Sequence, residues 1–333
     1  MNKINRRQFQ ARTLALLGAA ATPWAAQGQP RAAGPGGFPN RPIKLIVPYP
    51  AGGIVDVVTR AAADPLSADL PQRLVVENRT GADGRIGLSA AAQAPADGYT
   101  LLAATPIVAV GEHLMADMAG RSKDFAGVCA IAAPPAVFVV WSGLAAKTLK
   151  EAVALAATKP GELNVPNPGS GSSIHLGQEL LFERTGIKLT NINYRGQPPA
   201  LIDLAEGRLH FALISQSLAL PLIQTGKLRA LAVNAGKRTR SLPDVPTVAE
   251  AGFPDVLVQS WYGIAAPAKT PAPVVAWLSE QFLQTLAQAD TRARLDAIDA
   301  ELMALGGAAF DALIASEHQR WGELIKKRGI KMG

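Results

Sequence analysis

Residues 43–60 read IKLIVPYPAGGIVDVVTR. Ile43, Leu45, Ile46 and Val47 make an apolar, strand-like run that stops at Pro48 and Pro50. The chain turns through Ala51-Gly52-Gly53, and Val55 and Val58 then recur at helical spacing, with Tyr49 ahead of the turn and Asp56 in the first helical turn. A strand, a glycine turn and a helix start together form an anion-site geometry. The first N–H groups of a helix have no internal partner and carry the positive end of its dipole, and the two glycines let a ligand approach the main chain without a Cβ in the way. Residues 163–181, LNVPNPGSGSSIHLGQELL, repeat this logic, running from a short strand through Ser170, Gly171, Ser172 and Ser173 into an amphipathic helix. The two loops are expected to face each other across a cleft and hold a small acidic molecule.

The 333-residue chain suits two domains with ample core. Apolar residues make up 48% and charged residues 18%, which excludes a disordered chain, and no apolar run approaches the length of a membrane span. Residues 1–28 hold Lys3, Arg6, Arg7 and Arg12 and no acid, followed by a short apolar run at 14–21 and small residues, the pattern of a cleaved export signal. Arg6-Arg7-Gln8-Phe9 fits a twin-arginine signal as well as an ordinary secretory one. Without those four basic residues the net charge of +7 falls to +3, and no basic strip interleaves with aromatics, so a nucleic-acid partner is not expected. A mild positive balance suits an acidic small ligand. The single cysteine, Cys129, lies in an apolar run and reads as a core residue. Four scattered histidines, with no metal-ligand spacing, imply no metal site, and no cofactor motif is present.

Strand–loop–helix alternation through the chain predicts an α/β fold with mostly parallel sheets covered on both faces. The expected organisation is a signal at 1–28, a loose Gly/Pro leader at 29–39, a discontinuous first domain at 40–140 and 262–333, and a second domain at 141–261. The first domain contains the strand at 99–105, with Thr105 at its C-terminal end, where open α/β sheets bind ligands. The second contains a strand reaching Tyr194, the loop Arg195-Gly196-Gln197-Pro198, and a strand ending at Ser215. Residues 273–327 are expected to be helical and to pack back on the first domain.

Each candidate residue has an ordinary structural alternative. Ser172 or Ser173 with His175 could supply a nucleophile and base. A hydrolase also needs an orienting group and an oxyanion hole, however, and the segment is not a G-x-S-x-G elbow. Helix capping or hydrogen bonding to a ligand carboxylate uses the same hydroxyls. Asp56 could accept from a ligand ammonium or simply complement the helix dipole. Arg195 could form a bidentate pair with a carboxylate or sit on the surface. Trp261-Tyr262 could line the cleft, but core packing accounts for both.

Seven segments, PYPAGGIVDVVTR, VVENRTGADGRIG, DGYTLLAAT, PGSGSSIHLG, YRGQPPALIDLAEGR, GKLRALAV and LPDVPTVAEAG, occur in an order that resembles the Bug (TctC-like) family of periplasmic receptors of tripartite tricarboxylate transporters. The resemblance runs from about residue 42 to 270. It implies a two-domain, type II Venus-flytrap fold in the periplasm. Such a protein is non-enzymatic and monomeric, closes on a small carboxylate-bearing solute, and presents it to membrane permease subunits or, in a related role, to a sensor kinase. The ligand would sit between 51–56 and the loops 169–173 and 194–197. Ile54-Val55 stand where the family usually carries a hydroxyl or small polar residue, and Thr80 and Asp83 where Pro and Gly are common. The first departure makes the cleft wall more apolar and points to a solute with an apolar or aromatic body.

Overall fold

The computed structural model describes residues 31–115 and 118–331; the expected export signal lies outside them. Among the described residues no helix is long and apolar enough to cross a membrane.

The opening run forms β1 (Ile43–Val47), followed by α1 (Ile54–Asp69), β2 (Leu74–Asn78), α2 (Arg85–Ala92), β3 (Thr100–Ala104), α3 (Ile107–Leu114) and β4 (Phe125–Ala133). β1 pairs in parallel with β2 on one side and β3 on the other. It is apolar on both faces because both are covered. Ile43, Leu45 and Val47 enter the core beneath α1, while Ile46 faces the opposite core with Leu88 of α2 and Val108 of α3. The period-2 alternation of a strand thus feeds two separate helix layers.

The chain leaves this sheet through Pro134-Pro135. β5 (Ala136–Trp141) belongs to a second sheet, antiparallel to β8 (Phe211–Ser215) and β9 (Leu228–Asn234). The crossing therefore falls before Ala136, not at 140/141 as the apolar runs suggested, because the paired prolines interrupt the strand ladder by lacking N–H donors. α4 (Leu149–Thr158), β6 (Asn164–Asn167), α5 (Ser173–Thr185), β7 (Thr190–Asn193), α6 (Gln197–Ala205) and α7 (Gln216–Gln224) complete this lobe. β6 and β7 pair in parallel. The His210 N–H donates to the Asn164 carbonyl at 2.9 Å, which sets β6 beside β8.

The chain returns through β10 (Tyr262–Pro267), then forms α8 (Ala272–Ala287), α9 (Ala289–Asp296), β11 (Glu301–Gly306) and α10 (Gly307–Arg328). The first sheet has the order β11-β4-β10-β3-β1-β2, and only β10 and β11 run against its other four strands. α8 packs on β4 and α1, and α10 on β4 and α3; Leu278 and Phe282 join the core that holds Leu45, and Phe310 and Trp321 the core that holds Ile46. The expected all-helical tail is interrupted by β11, whose Leu-Met-Ala-Leu composition is helix-favouring. The open edge of β4 overrides that propensity through a bulged antiparallel ladder. α5 joins the two lobes: Leu181 and Phe182 sit in the second lobe's core, while Leu176 and Leu180 sit among side chains of α3 and α10.

Candidate functional site

Four helices begin at one cavity between the lobes. Its walls are Tyr49, Pro50, Gly53, Ile54 and Val55 at the start of α1, and Thr105 and Pro106 ahead of α3. The second lobe adds Pro168 and 172–174 at the start of α5 and 196–198 at the start of α6, and Tyr262 of β10 completes the lining. The free volume is about 50 Å³, roughly one or two water molecules. No charged side chain lines it. The Thr105 hydroxyl, on a residue only 3% exposed, meets no described residue at ordinary hydrogen-bond geometry and has the Tyr49 phenol beside it.

The first loop is held by a carboxylate. Asp56 accepts from the Gly52 N–H and from Arg60 Nε and Asn78 Nδ2, each at 3.0 Å, and the Asn78 amide also donates to the Tyr49 carbonyl at 3.0 Å. Burial opposes the charge, but these three donors outweigh it and hold the Asp56 pKa below the ordinary carboxylate value. Both Asp56 oxygens are committed within the loop, so it shapes the cleft without lining it. Ala51 and Gly52 lie exposed on the rim.

The second loop is held by neutral groups. The Asn167 amide donates to Ser170 Oγ at 3.2 Å and its oxygen accepts from the Gly169 N–H at 3.1 Å. Ser172 Oγ accepts the His175 N–H at 3.2 Å, the N-cap of α5. Gly171 has a left-handed φ of 78°, and an added Cβ would stand 2.3 Å from Leu114 Cδ1 of α3. That loop is seated on the other lobe.

Ser172 and Ser173 do not form a nucleophile–base pair with His175. Its Nδ1 accepts from the Gly171 N–H at 3.3 Å and its Nε2 faces Glu179 Oε1 at 3.7 Å, while Ser173 Oγ accepts from Ser260 Oγ at 2.7 Å. Glu179 also accepts from Asn191 Nδ2 and from Arg328 at the end of α10, at 2.8–2.9 Å. Burial would raise its pKa, yet the His175, Arg328 and Asn191 contacts bring it down to about 2.

Of the residues expected at the site, Tyr49, Gly53, Val55, Thr105, Ser172, Ser173 and Gly196 line the cavity. The Tyr194 hydroxyl instead donates to Asp203. Ser215 lies behind Gln197, whose side chain donates to Ser215 Oγ at 2.9 Å and accepts from its N–H at 2.7 Å. Arg195 lines a neighbouring cavity. Core packing holds for both members of the aromatic pair, on opposite sides of the sheet, and Tyr262 also borders the cavity. Trp261 packs edge-on against Phe310 at 5.3 Å, and Tyr262 reaches the cavity. Burial pushes the Tyr262 phenol up to about 12 despite the nearby Ser173 and Ser260 hydroxyls. Strand alternation carried the signal, since adjacent strand residues point to opposite faces. Cys129 is fully buried, and among the described residues no His/Cys/Asp/Glu cluster could hold a metal.

Comparison with known proteins agrees with this architecture. The chain is 35% identical over 301 residues to Protein BugT of Bordetella pertussis, covering 89% of this chain and 91% of that one. An R. palustris protein, Rpa4515, solved with adipate, superposes with a TM-score of 0.82 at 33% identity, over 88% of this chain and 99% of its own. MatC from Rhodopseudomonas palustris, solved with bound malate, gives 0.81 at 29% identity, over 86% and 100%. The profile of the tripartite tricarboxylate transporter family receptor matches residues 58–330. With two lobes closing on a cavity ringed by helix N-termini, and with this profile spanning both lobes, the chain belongs to that receptor family and is a periplasmic binding protein of the Bug/TctC type.

Proposed function

We propose that this protein is a non-catalytic receptor of the periplasm that closes its lobes on a small organic acid and delivers it to the membrane permease of a tripartite transporter. The observation that carries this reading is the convergence of four helix N-termini on a cavity with no charged lining, with the buried Thr105 hydroxyl in its wall. Each N-terminus favours an anion by about 0.3–1 kcal/mol when exposed and up to ~2 kcal/mol when partly buried. With no acid in the lining to oppose them, these contributions act together on a carboxylate. Ile54, Val55 and the prolines supply an apolar wall suited to a carbon chain. The adipate and malate seen with two relatives support the ligand class. The basic, apolar and small-residue pattern of residues 1–28 supports export.

The cavity is too small for such an acid in this closed arrangement, so entry requires the lobes to part. Two strand-free crossings, at 134–135 and 257–261, provide the hinge. Calorimetric titration of the mature protein with adipate, malate and their diamides tests the anion site. The acids are expected to bind and the diamides not. Thr105→Val should weaken the acids roughly 10- to 100-fold, the worth of a hydrogen bond to a charged group. Equal binding by diamides, or no binding by any acid, would overturn the reading. Uptake of the bound acid by cells lacking the receptor tests delivery, with loss of uptake expected.

A further inference from the structure

A second cavity, of about 250 Å³, adjoins the first and shares Tyr49, Pro50, Pro168 and Gly196 with it. Its other walls are the 80–84 turn of the first lobe and Arg195 of the second. Two charged side chains line this space, Asp83 and Arg195, one from each lobe. Unlike Arg60 and Asp56 nearby, paired at 3.0 Å, these two make no ion pair or side-chain hydrogen bond with each other or with any other described residue. The turn that carries Asp83 holds four consecutive positive φ angles, including 47° at Ala82 and 53° at Asp83. Such backbone persists where the surroundings over-determine it, commonly at ligand clamps. Burial raises the Tyr49 phenol above its ordinary pKa, and the Asp83 charge adds to the rise, so this carboxylate acts at the boundary between the two cavities.

The inner cavity has room for about two waters at most. A solute seated on the helix N-termini therefore extends past Tyr49 and Pro168 into the outer space. We propose that the outer cavity is the second half of the ligand site, where Arg195 takes a carboxylate and Asp83 an ammonium of one zwitterionic head group. The preferred solute is then an acid whose far end is an α-amino acid. A plain diacid offers its far carboxylate to Arg195 but sets it against Asp83, whereas a zwitterion pairs with both. This inference rests on the anion reading of the inner cavity.

Titration of hexanoate, adipate and 2-aminoadipate into the wild type, Asp83→Asn and Arg195→Gln tests it. Asn tolerates the left-handed backbone at 83, so the turn is retained. The wild type should bind 2-aminoadipate about tenfold more tightly than adipate. Asp83→Asn should bring that ratio to about one, and Arg195→Gln should weaken both toward hexanoate. Equal affinity of the wild type for adipate and 2-aminoadipate overturns the inference alone. So does an equal loss for all three acids in Asp83→Asn, the signature of an Asp83–Arg195 latch between lobes. No binding by any of the three overturns the anion reading of the inner cavity and this inference with it.

Discussion

The loops at 48–56 and 167–175 both deliver a helix N-terminus to the same cavity, yet they are held by different chemistry. In the first, a buried carboxylate sits inside the loop and is paired within its own lobe by Arg60 and Asn78. In the second, the loop itself is tied by neutral amide, hydroxyl and imidazole groups, and the carboxylate stands one turn further back. Glu179 backs His175 and is paired with Arg328 from α10 of the other lobe. Gly171 of the same loop is lodged against α3 across the cleft, whereas Gly52 of the first loop, also left-handed at φ 74°, has open space where a Cβ would stand. The first half of the site is built by its own lobe, and the second half is completed by contact between lobes. Binding and closure are thereby coupled on the second lobe more than on the first.

The largest effect separating the two should come from Asp56→Ala. It strands the Gly52 N–H and leaves Asn78 and the half-exposed Arg60 without their acceptor, and should cost roughly 2–4 kcal/mol in denaturant unfolding. A loss below 1 kcal/mol would mean that the first loop does not depend on its internal carboxylate.

The second lobe's carboxylate predicts a pH dependence. The ordinary glutamate pKa of 4.5 falls to about 2 in the folded protein. As pH drops below about 4.5 the unfolded chain takes up a proton that folded Glu179 resists until about pH 2. The stabilisation is thus present above that window and lost through it, on the order of 2–3 kcal/mol. Glu179→Gln should flatten this limb of the stability–pH curve; an unchanged limb would assign acid unfolding to other groups.

Gly171→Ala should act mainly on closure. Its Cβ meets Leu114 and Ile107 of the other lobe, and overpacking of this kind costs about 1–3 kcal/mol, a roughly 10- to 100-fold loss of affinity. Gly52→Ala, with no neighbour to strike, should show only the left-handed backbone penalty of about 1–2 kcal/mol in stability. Equal affinity losses for both would erase the distinction between the loops. The smallest effect is Ser172→Ala, which removes the α5 cap and should cost ~1 kcal/mol, read as a shift in melting temperature.

Much of the site was legible because it is built from local grammar. The run IKLIVPYPAGGIVDVVTR places a strand, a turn and a helix start within eighteen residues, and nothing outside the stretch is needed to read it. The same holds for NPGSGSS before α5 and for the Thr148 cap of α4, whose hydroxyl accepts the Glu151 N–H. Gln197 and Tyr262 were less legible. Gln197 looks like an ordinary helix-start residue until Ser215, eighteen positions away, is seen against its amide. Tyr262 sits in an extended segment whose two faces are assigned only when β10 pairs between β3 and β4.

Local pattern, through period-2 alternation, glycine turns and caps, suffices for the α/β alternation, the two anion-type loops and the family membership that their order implies. Tertiary packing decided the rest. It moved the lobe crossing to Pro134-Pro135, turned 301–306 into an edge strand, drew Asp56 into its own loop and brought Arg195 and Asp83 to the lining of one second cavity. Those outcomes depend on which groups meet from distant parts of the chain, where an open strand edge or an unpaired donor outweighs intrinsic propensity.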